Sequence, residues 1–166
     1  MHIRPAEPKD VPAIHQLIID LAIYEKSPES VVSTIDDLHT ALFAPTPYLF
    51  GDVAVDGAVD GAVDGDGEEV IGFAVWYINY STWRGQHGIY LEDLYVKPER
   101  RGQGVGKALL KTLATRCVDR GYARLEWWVL DWNEPAIEFY KSVGARPMSD
   151  WTVYRLDGDR LEQFAK

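Results

Sequence analysis

The chain has 166 residues, 46% apolar and 12% aromatic, a size and composition suited to one packed domain. Its net charge of −9 argues against nucleic acid as a partner and leans towards small cationic molecules. No apolar run is long enough to span a membrane, the start Met1-His2-Ile3-Arg4-Pro5 carries no secretion signal, and a single cysteine excludes an internal disulfide. A cytoplasmic protein with no membrane partner is therefore expected.

In chain order, a short strand is expected at 2–4. Asp10 is placed to cap a helix running to about Tyr24, with Val11, Ile14, Leu17, Ile18 and Leu21 along one face and Pro12 in the first turn. A second helix follows Thr34, whose spacing to Asp37 is that of a capping box, and stops before Pro45. Strands rich in β-branched and aromatic residues are expected at 48–55, 70–80 and 88–96. Between the first two of these, Ala-Val-Asp-Gly occurs three times over 54–65. The Asp-Gly pairs are hairpin chemistry, so 54–69 is read as an expanded loop between antiparallel strands. A calcium loop starting at Asp64 is rejected, because Glu69 stands where such a loop needs glycine.

A third helix is expected from about Gly104 to Arg120, closed by Gly121. Val105, Leu109, Leu113 and Cys117 recur every four residues, which makes Cys117 helix core rather than a nucleophile. A strand at 124–130, a short helix at 135–143 and a closing strand at 151–156 complete the chain. The order predicts an α/β fold, with a mixed, mostly antiparallel twisted sheet and helices on both faces. The four histidines show no ligand spacing, so no metal is expected.

The most informative stretch is Arg101-Gly102-Gln103-Gly104-Val105-Gly106, which follows an apolar strand and opens a helix. Glycines without Cβ let the main chain approach an anion, and the first amides of a helix lack internal partners. A diphosphate would fit there. The stretch is neither a Walker loop, since Arg101 and Ala108 stand at required positions, nor G-x-G-x-x-G, since the third glycine comes one residue early. It is R/Q-x-x-G-x-G/A. Lys97, Arg100, Arg101, Lys107 and Lys111 form a basic cluster around it in an otherwise acidic chain.

That loop, preceded by Ile89-Tyr90-Leu91-Glu92-Asp93-Leu94-Tyr95-Val96-Lys97-Pro98 and followed by Trp132-Asn133-Glu134-Pro135-Ala136-Ile137-Glu138-Phe139-Tyr140, resembles the GNAT superfamily of N-acetyltransferases. Both flanks are similar to its diamine branch, the spermidine/spermine and thialysine enzymes. The resemblance implies the GNAT fold and acetyl-CoA as acetyl donor. It implies that Leu94, Tyr95 and Val96 would bond the pantetheine arm by strand-like hydrogen bonds, while Arg101, Gly102, Gln103, Gly104, Val105 and Gly106 would take the diphosphate. Asn133, with Glu134, Pro135 and Ala136 beside it, would lie further along the arm, and Tyr140 by the thioester sulfur.

Acetyl transfer to an amine requires removal of a proton, since an alkyl ammonium has a pKa of about 10.4. Glu92 is the candidate base, acting through water; it would equally serve as a binder of the ammonium or as a strand carboxylate. On a regular strand Leu91 and Glu92 face opposite ways, as do Glu92 and Asp93, so only one of the two carboxylates would face the cleft. Tyr140 is the candidate acid, its phenol having a pKa of about 10, with packing as the alternative. For the amine the resemblance points to Tyr24, Glu25, Trp83, Glu92, Asp93, Glu126, Trp127 and Trp128. Carboxylates and aromatic faces both attract ammonium groups; Glu25 and Glu126 would also serve as solvated surface charges. Ser81-Thr82-Trp83 departs from the polyamine type, which carries an acid beside that tryptophan, and resembles the thialysine type.

The expected activity is thus acetyl-CoA-dependent N-acetylation of a small di- or polyamine or a lysine-like amine, by direct attack in a ternary complex. A homodimer is implied by the resemblance. The rival readings are a transferase for peptide or protein amines and a catalytically idle acyl-CoA-binding module.

Overall fold

A computed structural model describes residues 1–57 and 67–166; most of the repeat loop and the rejected calcium loop therefore lie outside the described residues. The chain falls into two compact units, Met1–Trp128 and Val129–Lys166.

The first unit is built on a sheet in the order β1 (His2–Pro5), β2 (Phe50–Asp56), β3 (Glu69–Ser81), β4 (Gln86–Val96) and β5 (Leu125–Glu126). Three junctions are antiparallel, and β4 with β5 is parallel. This is the mixed, mostly antiparallel sheet read from the sequence. Alternation along β2 and β3 sends Val53, Val55, Phe73 and Val75 to one face, where α1 (Val11–Tyr24) and α2 (Ile35–Phe43) cover them with Val11, Ile14, Leu17, Leu38 and Leu42. The opposite face meets α3 (Val105–Asp119), whose Val105, Leu109, Leu110, Leu113 and Cys117 are buried. Each such fully buried apolar side chain contributes roughly 1.5–3 kcal/mol. Cys117 is core, as its spacing predicts, and burial pushes its thiol pKa up.

Under α3 the sheet carries a polar knot. Asp52 is 1% exposed and accepts from Trp76 Nε1 at 2.8 Å and from Arg116 at 2.7 Å, and the Arg116 guanidinium lies 4.7 Å over the Trp76 ring. Every charged and polar group there is satisfied, which is the condition for burying it.

The Thr34–Asp37 capping box forms at the start of α2. Asp10 does not cap α1. It is buried and accepts from Arg4 at 2.6 and 3.0 Å and from the Glu7 amide, so an ion pair has taken the carboxylate that the helix start was expected to use. At its other end α1 closes through Lys26, in the left-handed region at φ 63°, with Ser27 N–H donating to Ala22. That closure fixes Tyr24 and Glu25 at the sheet end of the helix.

The expected strand at 124–130 is reduced to Leu125–Glu126, because its ladder with β4 consists of Ile89↔Leu125 and Tyr90↔Glu126 alone. Close approach there depends on Gly88, where a Cβ would meet Asn79 Oδ1 at 2.6 Å and the Arg124 carbonyl at 2.9 Å.

In the second unit α4 (Glu134–Ser142) is capped by Asn133, which accepts from Ala136 N at 3.4 Å, and ends at Gly144, φ +87°. The closing strand expected at 151–156 does not form. Propensity makes a strand only where a neighbour takes its backbone groups, and among the described residues no ladder reaches this segment. A final helix, α5 (Gly158–Phe164), was not expected from the sequence.

Candidate active site

Gly102 and Gly104 both stand in the left-handed region, at φ +73° and +83°, where only glycine is unstrained. Nothing lies within 4 Å of where a Cβ would be at either. Gly104 is the N-cap of α3 and offers no side chain, so the helix opens without a side-chain cap. The first internal bond runs from Ala108 N to Gly104 O at 2.9 Å, which leaves the first-turn amides facing an open approach. The geometry fits a diphosphate. The basic cluster is thinner than its sequence suggests, since Lys97 pairs with Glu69 at 2.6 Å and Arg100 with Asp56 at 2.8 Å. Lys107 and Lys111 are exposed on α3.

Beside the loop, Leu94, Tyr95 and Val96 pair with Ala74, Phe73 and Gly72 of β3. The parallel ladder with β5 stops at Tyr90, so among the described residues no strand covers the other edge of β4 at 94–96. Open strand edges accept extended ligands by main-chain hydrogen bonds.

Where the ladder stops, β4 carries a bulge. Val75 pairs with Asp93 and Trp76 with Leu91, which leaves Glu92 as an extra residue with no partner. The regular alternation expected for 91–93 therefore fails. Leu91 opposes Trp76 and Asp93 opposes Val75, so the two lie on opposite faces although they are two residues apart. Glu92 is exposed, while Asp93 is half-buried on the face covered by α1.

On that face lie some of the residues that the sequence suggests for the acceptor, Asp93 and Glu25 among them. Burial, then the like charges of Glu92 and Glu25, push the Asp93 carboxyl up to about 6. Burial likewise raises Glu25. Among the described residues no cation of the chain pairs with Glu25, Glu92 or Asp93. The Tyr77 and Tyr90 rings lie 5.0 Å apart, and Trp128 stands edge-on to Tyr90 at 5.7 Å. Tyr77 is raised by burial and by the charges of Glu92 and Glu126. Glu126 is differently placed from the other acids. It accepts from Asn79 Nδ2 at 2.8 Å and from Arg124 Nε at 2.9 Å, so its charge is already answered.

Tyr24 lies on the other flank, its ring 5.0 Å from the Arg101 guanidinium. Trp83 is on the turn between β3 and β4 and is 89% exposed, and Trp127 follows the end of β5. In the second unit, Asn133 Oδ1 serves the start of α4, with Glu134 and Pro135 in the first turn, and Tyr140 packs against Phe139 at 5.3 Å between ring centroids.

Residues 14–145 match the family described as Acetyltransferase (GNAT) family. The chain belongs to that family. Within the GNAT family it falls in the diamine branch and is an N-acetyltransferase. It is 38% identical to the thialysine N-epsilon-acetyltransferase of Bos taurus, over 98% of this chain and 96% of that protein. It is 31% identical to the L-ornithine N5-acetyltransferase of Arabidopsis thaliana, over 99% of this chain and 87% of that one. Among solved structures, an integron cassette protein from the mobile metagenome of V. cholerae superposes with a TM-score of 0.76 at 27% identity, covering 99% of this chain and 97% of that chain.

Sequence reasoning missed Tyr77, Tyr90, Asn79 and Arg124. The two tyrosines were within reach, since counting by twos along β3 from Phe73 places Val75, Tyr77 and Asn79 on one face. Arg124 lies two residues before Glu126 and so on the same face of the expected strand at 124–130, which is the signal that could have found it. Among the described residues no helix is long and apolar enough to cross a membrane, and no group of three His, Cys, Asp or Glu is arranged to hold a metal.

Proposed function

We propose that this GNAT enzyme acetylates a primary amine of a small diamine or lysine-like acceptor, of the thialysine type, with acetyl-CoA as donor and by direct attack in a ternary complex. The observation that carries the acceptor is the group Glu25, Glu92 and Asp93, three carboxylates unanswered by any cation among the described residues and framed by Tyr77, Tyr90 and Trp128. Like charges held together at partial burial are costly in the free protein, and a bound ammonium relieves that cost. Aromatic faces add roughly 0.5–2 kcal/mol.

Acetyl-CoA supplies the acetyl group already activated as a thioester. The open amides at Gly104 to Gly106 would hold its diphosphate, and the edge of β4 at Leu94 to Val96 its pantetheine. Asp93 and Glu25 hold the ammonium. Glu92, standing out at the bulge, takes a proton from the amine nitrogen through water. Tyr140 Oη is the proton donor of the reaction, a role supported by its place in the Asn133-to-Tyr140 run and by the family. The relatives named for thialysine and ornithine support a lysine-like acceptor, as does the lack of an acid at Ser81-Thr82-Trp83. A cytoplasmic homodimer belongs to the same proposal.

The test is thiol release from acetyl-CoA over a panel of thialysine, lysine, ornithine, putrescine, spermidine and short peptides. Thialysine or ornithine turnover well above spermidine turnover is expected. Spermidine as the preferred acceptor overturns the lysine-like assignment, and release with peptides alone overturns the small-amine reading.

A further inference from the structure

We propose that Arg101 is a positioning residue for the amine: from its place in the coenzyme loop, its guanidinium holds the end of α1, and with it Tyr24 and Glu25, against β4. The inference rests on the reading above. Three contacts carry it. Arg101 Cζ lies 5.0 Å from the centre of the Tyr24 ring and 5.1 Å from that of Tyr95, while its Nε donates to Val96 O at 3.0 Å. One planar cation therefore bridges two rings, one from the last residue of α1 and one from β4, and is oriented by a main-chain carbonyl of the same strand.

Geometry makes the bridge consequential. Tyr24 is followed by Glu25, and the charge of Glu25 is felt at Asp93, two residues before Tyr95 on β4. The separation between these carboxylates is the width of the ammonium site. The left-handed turn at Lys26 ends α1 just beyond them, so the helix end has no further turn to brace it. Arg101 braces it from the loop side. The residue is also the first of Arg101 to Gly106, so the same side chain joins the anion-binding loop to the wall of the cation site. Binding at one is then linked to the width of the other, and linkage is reciprocal.

Lysine cannot replace this arrangement. It keeps one positive charge but has no plane to stack between two rings and no Nε–H directed at Val96. For Arg101→Lys we expect the KM for the amine to rise about tenfold, the scale of two partly exposed cation–π contacts. The Kd for CoA, measured by calorimetry on the same protein, should rise by no more than about threefold, since the main-chain amides that bind the diphosphate are untouched. Tyr24→Leu should raise the amine KM as well, and the double variant should add little to either single change, because both remove one contact.

A tenfold loss of CoA affinity in Arg101→Lys with an unchanged amine KM would overturn the inference, as would strictly multiplicative effects in the double variant. Should Arg101→Lys fail to fold, Arg101→Gln, which keeps an N–H for Val96 and loses the cation, carries the same expectation. Failure of the wild-type protein to take up CoA at all is a different result: it removes the functional reading itself, and calorimetry shows it before any variant is made.

Discussion

Asp93 has a raised pKa for reasons that can be separated by one substitution. Burial first, then Glu92 and Glu25, push its carboxyl up to about 6 from an ordinary value of 3.8. The sign follows from proton counting. Between about pH 4 and pH 6 the folded state holds the Asp93 proton while the unfolded chain has released it, so stability falls as pH rises through that window and is flat above it. The full shift corresponds to about 3 kcal/mol; the side chain is half-buried, and solvent reduces this to roughly 1–2 kcal/mol. Asp93→Asn removes the titration while nearly preserving the shape. Urea unfolding of both proteins should therefore give similar midpoints near pH 4, and at pH 8 a variant more stable by about 0.5–1 M urea for an m-value of about 2 kcal/mol/M. Other titrating groups cancel in the difference. The same variant should bind the amine more weakly, because the carboxylate that is costly in the free protein is the one the ammonium stabilises. A stability difference that does not grow between pH 4 and pH 8, or one of opposite sign, would refute both the like-charge cluster and its use as a cation site.

Four further outcomes are expected. Asp52→Ala leaves the buried Trp76 N–H without an acceptor and Arg116 without its carboxylate, and should cost about 3 kcal/mol in chemical denaturation, with Asp52→Asn costing roughly half as much because it still accepts from Trp76; equal losses would show that the charge is irrelevant. Gly104→Ala meets no neighbouring atom but is held at φ +83°, so the loss should be a backbone strain of about 1 kcal/mol, a fall in Tm of about 3 °C, together with weaker CoA binding in calorimetry. Tyr140→Phe should lower kcat far more than CoA affinity, and Glu92→Gln should move the rate maximum to higher pH, since the amine must then lose its proton unaided; an unchanged rate removes Tyr140 as proton donor, and a superimposable pH profile leaves Glu92 as a binder only.

The elements legible in the sequence are those whose signals are local. α1 and α3 show apolar residues every three or four positions, Thr34 and Asp37 carry a helix start in two letters, and Gly102 and Gly104 mark the only backbone that could turn there. Apart from the unexpected α5, the departures concern which groups pair with which. Asp10 had the chemistry of a cap, but Arg4, six residues before it, lies within 2.6 Å and takes the carboxylate. The stretch 151–156 has strand composition, but among the described residues no ladder includes it. Glu126 reads equally as an anion open to an ammonium or as a solvated surface charge, and Arg124 and Asn79 occupy both its oxygens.

The bulge at Glu92 belongs to this second kind, and the candidate site follows from it. Register is a relation between β3 and β4, so no reading of residues 86–96 alone reveals that one of them has no partner. With regular pairing Asp93 would share the face of Leu91 and point under α3, away from Glu25. The extra residue moves Asp93 to the α1 face, brings it within the influence of Glu25, and leaves Glu92 exposed next to it. It also coincides with the end of the β4–β5 ladder at Tyr90, beyond which the edge at 94–96 is uncovered. One inserted residue thus accounts for both features on which the proposed chemistry rests, a group of carboxylates beside β4 and an open strand edge alongside it. A bulge that twists a strand away from its neighbour produces the two together, because the change in side-chain direction and the loss of pairing are the same distortion of the backbone.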